Sequence, residues 1–246
     1  LTKARRNLMR NYATIEKLQD RLSPAYCIQN FLTDLELVKL YDLWTSTQLH
    51  TIEKNTGPIT VNLKDIKDSN IIKLVIQKIK NQLGEDCKCW GGQFFYTNLP
   101  YVVHNDDDMY KFPDAYKAVS MPIKVWPEDK ESSLTELVCF EQSYFEGAAK
   151  FFKGGPKQET YYNRAVYDYK DVQNLKQTPI PKQLTDKLFP HLKTEWLNGL
   201  SIDNKFPWQL GSAIVFDSLK LHASTDFRKK GIESKLGLSL FFEKLL

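Results

Sequence analysis

Two hydrophobic rhythms divide the chain. In its first third, apolar residues recur at helical intervals. Leu37, Leu40, Tyr41 and Trp44 fall at i, i+3, i+4 and i+7 with Lys39 and Asp42 between them, which predicts a helix with one buried stripe and one solvated face. Thr33-Asp34-Leu35-Glu36 just ahead has the Thr-x-x-Glu form of a capping box. A second helix is predicted from Asn70 through Ile71, Ile72 and Val75 to Leu83, stopped by Gly84. Asn7-Leu8-Met9-Arg10 and Ile15-Glu16-Lys17-Leu18 read as a basic amphipathic helix near the start. Tyr26 to Leu32 reads as a short strand, and the weakly patterned stretch 47–65 offers a Gly57-Pro58 turn and a strand at Ile59-Thr60-Val61.

From Trp90 onward the texture turns to short aromatic or β-branched runs at 93–97, 117–125, 134–140, 212–216 and 235–242, separated by Pro, Gly, Asp and Asn. Residues 156–208 carry Pro179, Pro181, Pro190 and Pro207 and read as a partly helical insertion. Helices followed by many strands predict a β-sandwich or jelly roll with a helical flank. The expected layout is one domain over 1–246, with the flank at 1–85 and the rolled core at 90–246.

Composition narrows the choice of function. The 246 residues suffice for one sizeable core, and 13% aromatic residues suit a β-rich interior or a lined pocket. A net charge of +4 argues for neither a nucleic-acid nor a membrane partner. The basic positions Lys3, Arg5, Arg6 and Arg10 would be the footing for a nucleic-acid adaptor, but a solvated helix face accounts for them. No apolar run is long enough to span a bilayer. Cys87-Lys88-Cys89 is too tight for a zinc knuckle, so the four cysteines are expected as free thiols in a reducing, cytoplasmic compartment.

The candidate chemistry lies in Tyr101-Val102-Val103-His104-Asn105-Asp106. Residues two apart on an extended segment point the same way, so His104 and Asp106 face one point. One imidazole and one carboxylate leave a divalent metal under-coordinated. A second imidazole from another strand completes the facial 2-His-1-carboxylate set of non-haem Fe(II) oxygenases. Of the four histidines, His222 is the candidate, because it follows a Gly211 turn and the apolar run Ser212 to Phe216. His191, in Leu188-Phe189-Pro190-His191, suits local packing, and His50 reads as solvated. Asp108 shares the parity of Asp106 and is the alternative carboxylate. An H-x-D triplet also arises by chance, and beside Asp106, Asp107 and Asp108 the plainer reading of His104 is a turn histidine.

Together these pieces resemble the Fe(II)/2-oxoglutarate-dependent oxygenase superfamily, in texture its prolyl-4-hydroxylase-like and phytanoyl-hydroxylase-like branches. Phe31-Leu32-Thr33 before a helix resembles their entry segment, and Tyr96 to Asp106 their strand leading into H-x-D. Gly211 to His222 resembles their glycine turn, strand and distal histidine, and the run from Lys235 their last strand with its cosubstrate-binding basic residue. The resemblance implies a mainly β double-stranded β-helix (jelly roll, cupin-like) with helices packed outside. It implies Fe(II) and 2-oxoglutarate as cofactors, and O2 with a small-molecule or side-chain substrate as partners. The implied reaction is hydroxylation of a C–H bond with release of succinate and CO2. Related halogenases carry a small residue in place of the carboxylate, so Asp106 points to hydroxylation.

Lys235, Gly237, Ser239 and Phe241 share one face of that last strand, and Leu236, Leu238, Leu240 and Phe242 the other. A buried lysine is costly unless paired, and the distal carboxylate of 2-oxoglutarate would be that partner. Arg228 is the rival anchor. Many members of the family use arginine with a serine two residues on, whereas here Gly237 takes that place and serine comes only at Ser239. Tyr96 and Asn98 are candidates to hydrogen-bond the cosubstrate, as such strand residues do in similar enzymes, and Gln142 faces either pocket or surface. The alternative function is a non-catalytic jelly-roll binding module of the cupin or lectin type. The regions 47–65, 107–116 and 156–208 carry no motif that names a substrate.

Overall fold

The computed structural model describes residues 22–48, 59–84, 86–106, 114–143, 150–151 and 178–245. The basic stretch from Lys3 to Arg10, His50 and Asp108 therefore lie outside the described residues.

The expected capping box forms. Glu36 Oε2 accepts from the Thr33 backbone N–H at 2.7 Å and Thr33 Oγ1 from the Glu36 N–H at 3.3 Å, which starts helix α1 (Asp34–Gln48). After the single turn α2 (Leu63–Ile66), helix α3 (Asn70–Leu83) buries Ile71, Ile72, Val75 and Ile79. It ends at Gly84, whose positive φ of 105° lets its N–H reach back to the Lys80 carbonyl at 2.8 Å. Lys78 bonds Glu36 at 2.8 Å and ties the two long helices together.

Two antiparallel sheets follow from the strand order. The larger joins β1 (Tyr26–Ile28), β9 (Ala213–Asp217), β5 (Ala115–Trp126), β11 (Ser234–Lys244), β3 (Cys87–Thr97) and β2 (Ile59–Asn62) in that order. The smaller joins β7 (Lys150–Phe151), β4 (Val103–His104), β10 (Lys220–Ser224), β6 (Glu136–Ser143) and β8 (Ile202–Pro207).

Side-chain parity then stacks the layers. Phe94, Val119, Met121, Leu236, Leu238, Leu240 and Phe242 face outward from the larger sheet and share one core with Leu40, Trp44, Ile72 and Val75 of the helices. Ala118, Val125, Ile214 and Phe216 face inward and meet Leu137 and Cys139 of the smaller sheet. The outer face of the smaller sheet, with Val138, Phe140, Leu221 and Ala223, is covered by Ile180, Leu188, Phe189, Leu192 and Leu197 from around helix α4 (Lys182–Leu188). The architecture is the jelly roll with outside helices that the strand pattern implied.

One expectation needs correcting. The stretch 156–208 is not wholly an insertion, because β8 is a strand of the smaller sheet with Asn204 opposite Cys139 and Phe206 opposite Leu137. Its polar sequence Ile-Asp-Asn-Lys-Phe-Pro suits a half-exposed edge strand, where a terminal proline interrupts no ladder. No described helix is long and apolar enough to cross a membrane.

Candidate metal centre

Strand pairing brings the two histidines together. His104 on β4 stands directly opposite His222 on β10, and their ring centroids are 4.0 Å apart. Residues opposite one another in an antiparallel pair hold their Cβ atoms about 5 Å apart, so the register alone sets this spacing. Asp106 follows two residues after His104, its backbone N–H fixed to the Ser218 carbonyl at 3.0 Å. Its Oδ1 lies 3.7 Å from His104 Nε2 and its Oδ2 lies 3.6 Å from His222 Nε2. One donor atom from each of the three residues falls within 4.8 Å of the others. Those separations are too long for hydrogen bonds. They fit a shared ion with imidazole and carboxylate bonds of about 2.0–2.2 Å.

The rings are oriented for such a role. His104 Nδ1 lies 2.8 Å from the Val102 carbonyl and His222 Nδ1 lies 3.0 Å from the Lys220 carbonyl. A carbonyl only accepts, so each Nδ1 carries the proton and the lone pair sits on Nε2, facing Asp106. Burial holds His222 neutral, pushing its pKa down to about 4, against a smaller upward pull from the Lys220 carbonyl. Tyr101 stands edge-on to His104 at 4.4 Å and Phe216 lies 4.5 Å from His222, so both imidazoles are braced by rings. The nearby Lys220 is tied to Asp203 at 2.7 Å.

Lys235 lies in the same cavity, which has a volume of about 270 Å³. It is 3% exposed, and its ammonium donates to Ser224 Oγ at 2.9 Å. It sits over the Trp208 ring at 4.2 Å and the Phe227 ring at 5.1 Å. No carboxylate pairs with it among the described residues. Burial pushes its pKa down to about 7. The site therefore combines a donor triad suited to a divalent metal with a buried lysine that has no carboxylate partner among the described residues.

Other expected residues fall differently. Ser239 lines the cavity. Tyr96 does not: it faces the helices, stacked 5.8 Å from Trp44 and edge-on to Trp126 at 5.5 Å. The alternation on β3 turns Gln93, Phe95 and Thr97 inward instead. Asn98 is exposed, one residue beyond the end of β3, and reaches no part of the cavity. Arg228 is exposed in a one-turn 3-10 helix, 3.8 Å from Asp226, and does not line the cavity. Gln142 is buried, but its Oε1 accepts from the Ser201 N–H at 2.8 Å, outside the cavity. His191 is packed 6.4 Å from Phe189, as a local structural residue would be. Gly237 leaves no space beside Lys235, because a Cβ there would meet Phe95 at 2.5 Å and Trp208 at 2.9 Å. Ser224 and Trp208, which touch Lys235, are not among the residues expected from the sequence. Ser224 shares the parity of His222 and was within reach of that argument, whereas nothing in the sequence around Trp208 marks it.

No family model matches the chain, and no curated protein matches it. Solved structures do. The non-haem alpha ketoglutarate dependent carbocyclase SnoK from nogalamycin biosynthesis aligns with a TM-score of 0.54 at 9% identity, covering 91% of this chain and 81% of that one. The non-haem alpha ketoglutarate dependent epimerase SnoN from the same biosynthesis aligns at 0.51 and 10% identity, covering 94% and 84%. SnoN in complex with Fe3+, alpha ketoglutarate and nogalamycin RO aligns at 0.51 and 8% identity, with the same coverage of 94% and 84%. This chain has their fold.

Proposed function

We propose that this chain is an Fe(II)- and 2-oxoglutarate-dependent hydroxylase, built as one domain over residues 1–246. The observation that carries this reading is one cavity shared by the His104, Asp106 and His222 donors and by a buried lysine without a carboxylate partner among the described residues. Two neutral imidazoles and one carboxylate are the donor set that suits ferrous iron with positions left for other ligands. Crystallisation of SnoN, an enzyme of this fold, with Fe3+ and alpha ketoglutarate supports the same assignment.

His104, Asp106 and His222 hold the metal. Lys235 takes the distal carboxylate of 2-oxoglutarate, which supplies the missing counter-charge and restores its full protonation. Ser224 steadies the ammonium while donating its own proton to the Thr225 carbonyl at 3.0 Å. Trp208 and Phe227 keep water from the ion pair and thereby strengthen it. Iron so held supplies dioxygen chemistry in which 2-oxoglutarate, O2 and a substrate C–H group become succinate, CO2 and the C–OH product. The substrate is a small molecule, and the cysteines, all free among the described residues, fit a reducing cytoplasmic setting.

A cupin-like binding module would give no role to an uncompensated lysine beside the triad. Succinate formation decides between them. With Fe(II), 2-oxoglutarate and O2, the parent is expected to form succinate and His104→Ala to form none. Equal succinate from both, or none from the parent, would leave the binding-module reading in place.

A further inference from the structure

The cavity extends past the space that iron and 2-oxoglutarate would fill. Along β11, Ser239 lies four residues from Lys235, about 13 Å at 3.3 Å per residue. Ser239 is in register with Gln93 on one side and Ser120 on the other, so three polar side chains form a row across neighbouring central strands on the inner face of the larger sheet. Thr60 extends the polar wall on β2. None of these four side chains has a hydrogen-bond partner among the described residues. Ser120 is only 5% exposed overall and lines the cavity. Next to the row, Phe241 is held by Trp90 at 5.7 Å and presents a fixed ring to the cavity.

We propose that this row is the substrate-recognition wall, and that the substrate is an uncharged polyhydroxylated ring of the sugar or cyclitol kind, lying with its C–H face on Phe241. The inference rests on the hydroxylase reading, which commits Lys235 and Asp106 to the cosubstrate and the metal. Those are the charged lysine and carboxylate among the described residues lining the cavity, so none of these residues is left to offer a charged substrate its counter-charge. A wholly apolar substrate would leave the wall unsatisfied. Serine and threonine hydroxyls and a primary amide each donate and accept, as the hydroxyls of a polyol do. A 2-oxoglutarate tethered at Lys235 and at the triad does not extend to the row.

The test is calorimetric titration of the protein loaded with Fe(II) and 2-oxoglutarate under anaerobic conditions. The probes are neutral hexoses, cyclitols and methyl glycosides, each beside its uronic-acid and amino-sugar counterpart. Neutral members are expected to bind more tightly than charged ones. Gln93→Leu and Ser239→Val should each weaken that binding by on the order of tenfold for the lost hydrogen bond, with 2-oxoglutarate affinity retained. Ser120→Val gives a third variant should either of the others fail to fold. Preference for a charged counterpart, unchanged affinity in folded variants, or no binding by any neutral member would overturn the proposal while the hydroxylase reading stands. Failure of the parent to take iron or 2-oxoglutarate at all would instead overturn that reading, and this proposal with it.

Discussion

Lys235→Met is expected to stabilise the ligand-free protein and to remove most of its affinity for 2-oxoglutarate. Burial takes the lysine pKa from 10.5 to about 7. At about 1.4 kcal/mol per unit, that disfavours the buried ammonium by roughly 5 kcal/mol. The Ser224 hydrogen bond and the Trp208 and Phe227 ring faces return about 1 kcal/mol each. Methionine keeps the apolar stem against those rings and drops the charge. The net gain below pH 7 is about 2 kcal/mol, or roughly 4–8 °C in Tm for a chain of this size. The pH dependence gives the sign. Between pH 7 and 10.5 the unfolded chain holds a proton that the folded chain has released, so parental stability rises with pH across that window. The variant lacks this rise, so at about 1.4 kcal/mol per pH unit its advantage closes near the middle of the window, at about pH 8.5, and reverses above it. For 2-oxoglutarate, loss of one partner of a buried charge pair costs about 2–5 kcal/mol, roughly 30-fold or more in affinity. Thermal melts at pH 6 and pH 9, with cosubstrate titrations alongside, measure both effects. A variant that melts below the parent at pH 6, or that binds 2-oxoglutarate as the parent does, would refute the reasoning.

Gly237→Ala should cost about 1–3 kcal/mol, seen as a lower Tm, because the new Cβ drives into Phe95 and Trp208. Tyr96→Phe and Arg228→Ala should leave 2-oxoglutarate affinity unchanged by calorimetry, since neither side chain lines the cavity; a loss in either would show that its side chain reaches the cosubstrate. Burial lowers His222 and His191 to about 4, so the unfolded chain binds more protons than the folded one between pH 6.5 and 4. Denaturant melts of the metal-free protein should therefore lose stability as pH falls through that window. A flat profile would show that these rings are not held neutral.

The metal triad and the lysine face were legible because both rest on period-two parity. His104 with Asp106, and Lys235 with Ser239, each sit an even number of residues apart in an extended segment. Helix α1 was legible down to its cap because Thr33 and Glu36 are a local signal. Parity failed on β3. Phe94, Phe95 and Tyr96 are three consecutive aromatics, so hydrophobicity does not tell the helix-facing side from the pocket side, and the structure puts Tyr96 against Trp44. The edge strand β8 was hidden by its polar composition, and Trp208 by partners, Phe95 and Lys235, that lie more than a hundred and about thirty residues away in sequence. Which rows of the sheet lie side by side depends on the pairing of β3, β11 and β5, and such long-range register is written in no single segment.

The most direct measurement is anaerobic titration with Fe(II) and then 2-oxoglutarate, watching for the weak visible metal-to-ligand charge-transfer band. The band is expected in the parent and should be absent from His104→Ala and His222→Ala, whose rings stand 4.0 Å apart across the smaller sheet. The same band in those variants, or none in the parent, would contradict a ferrous site at these residues.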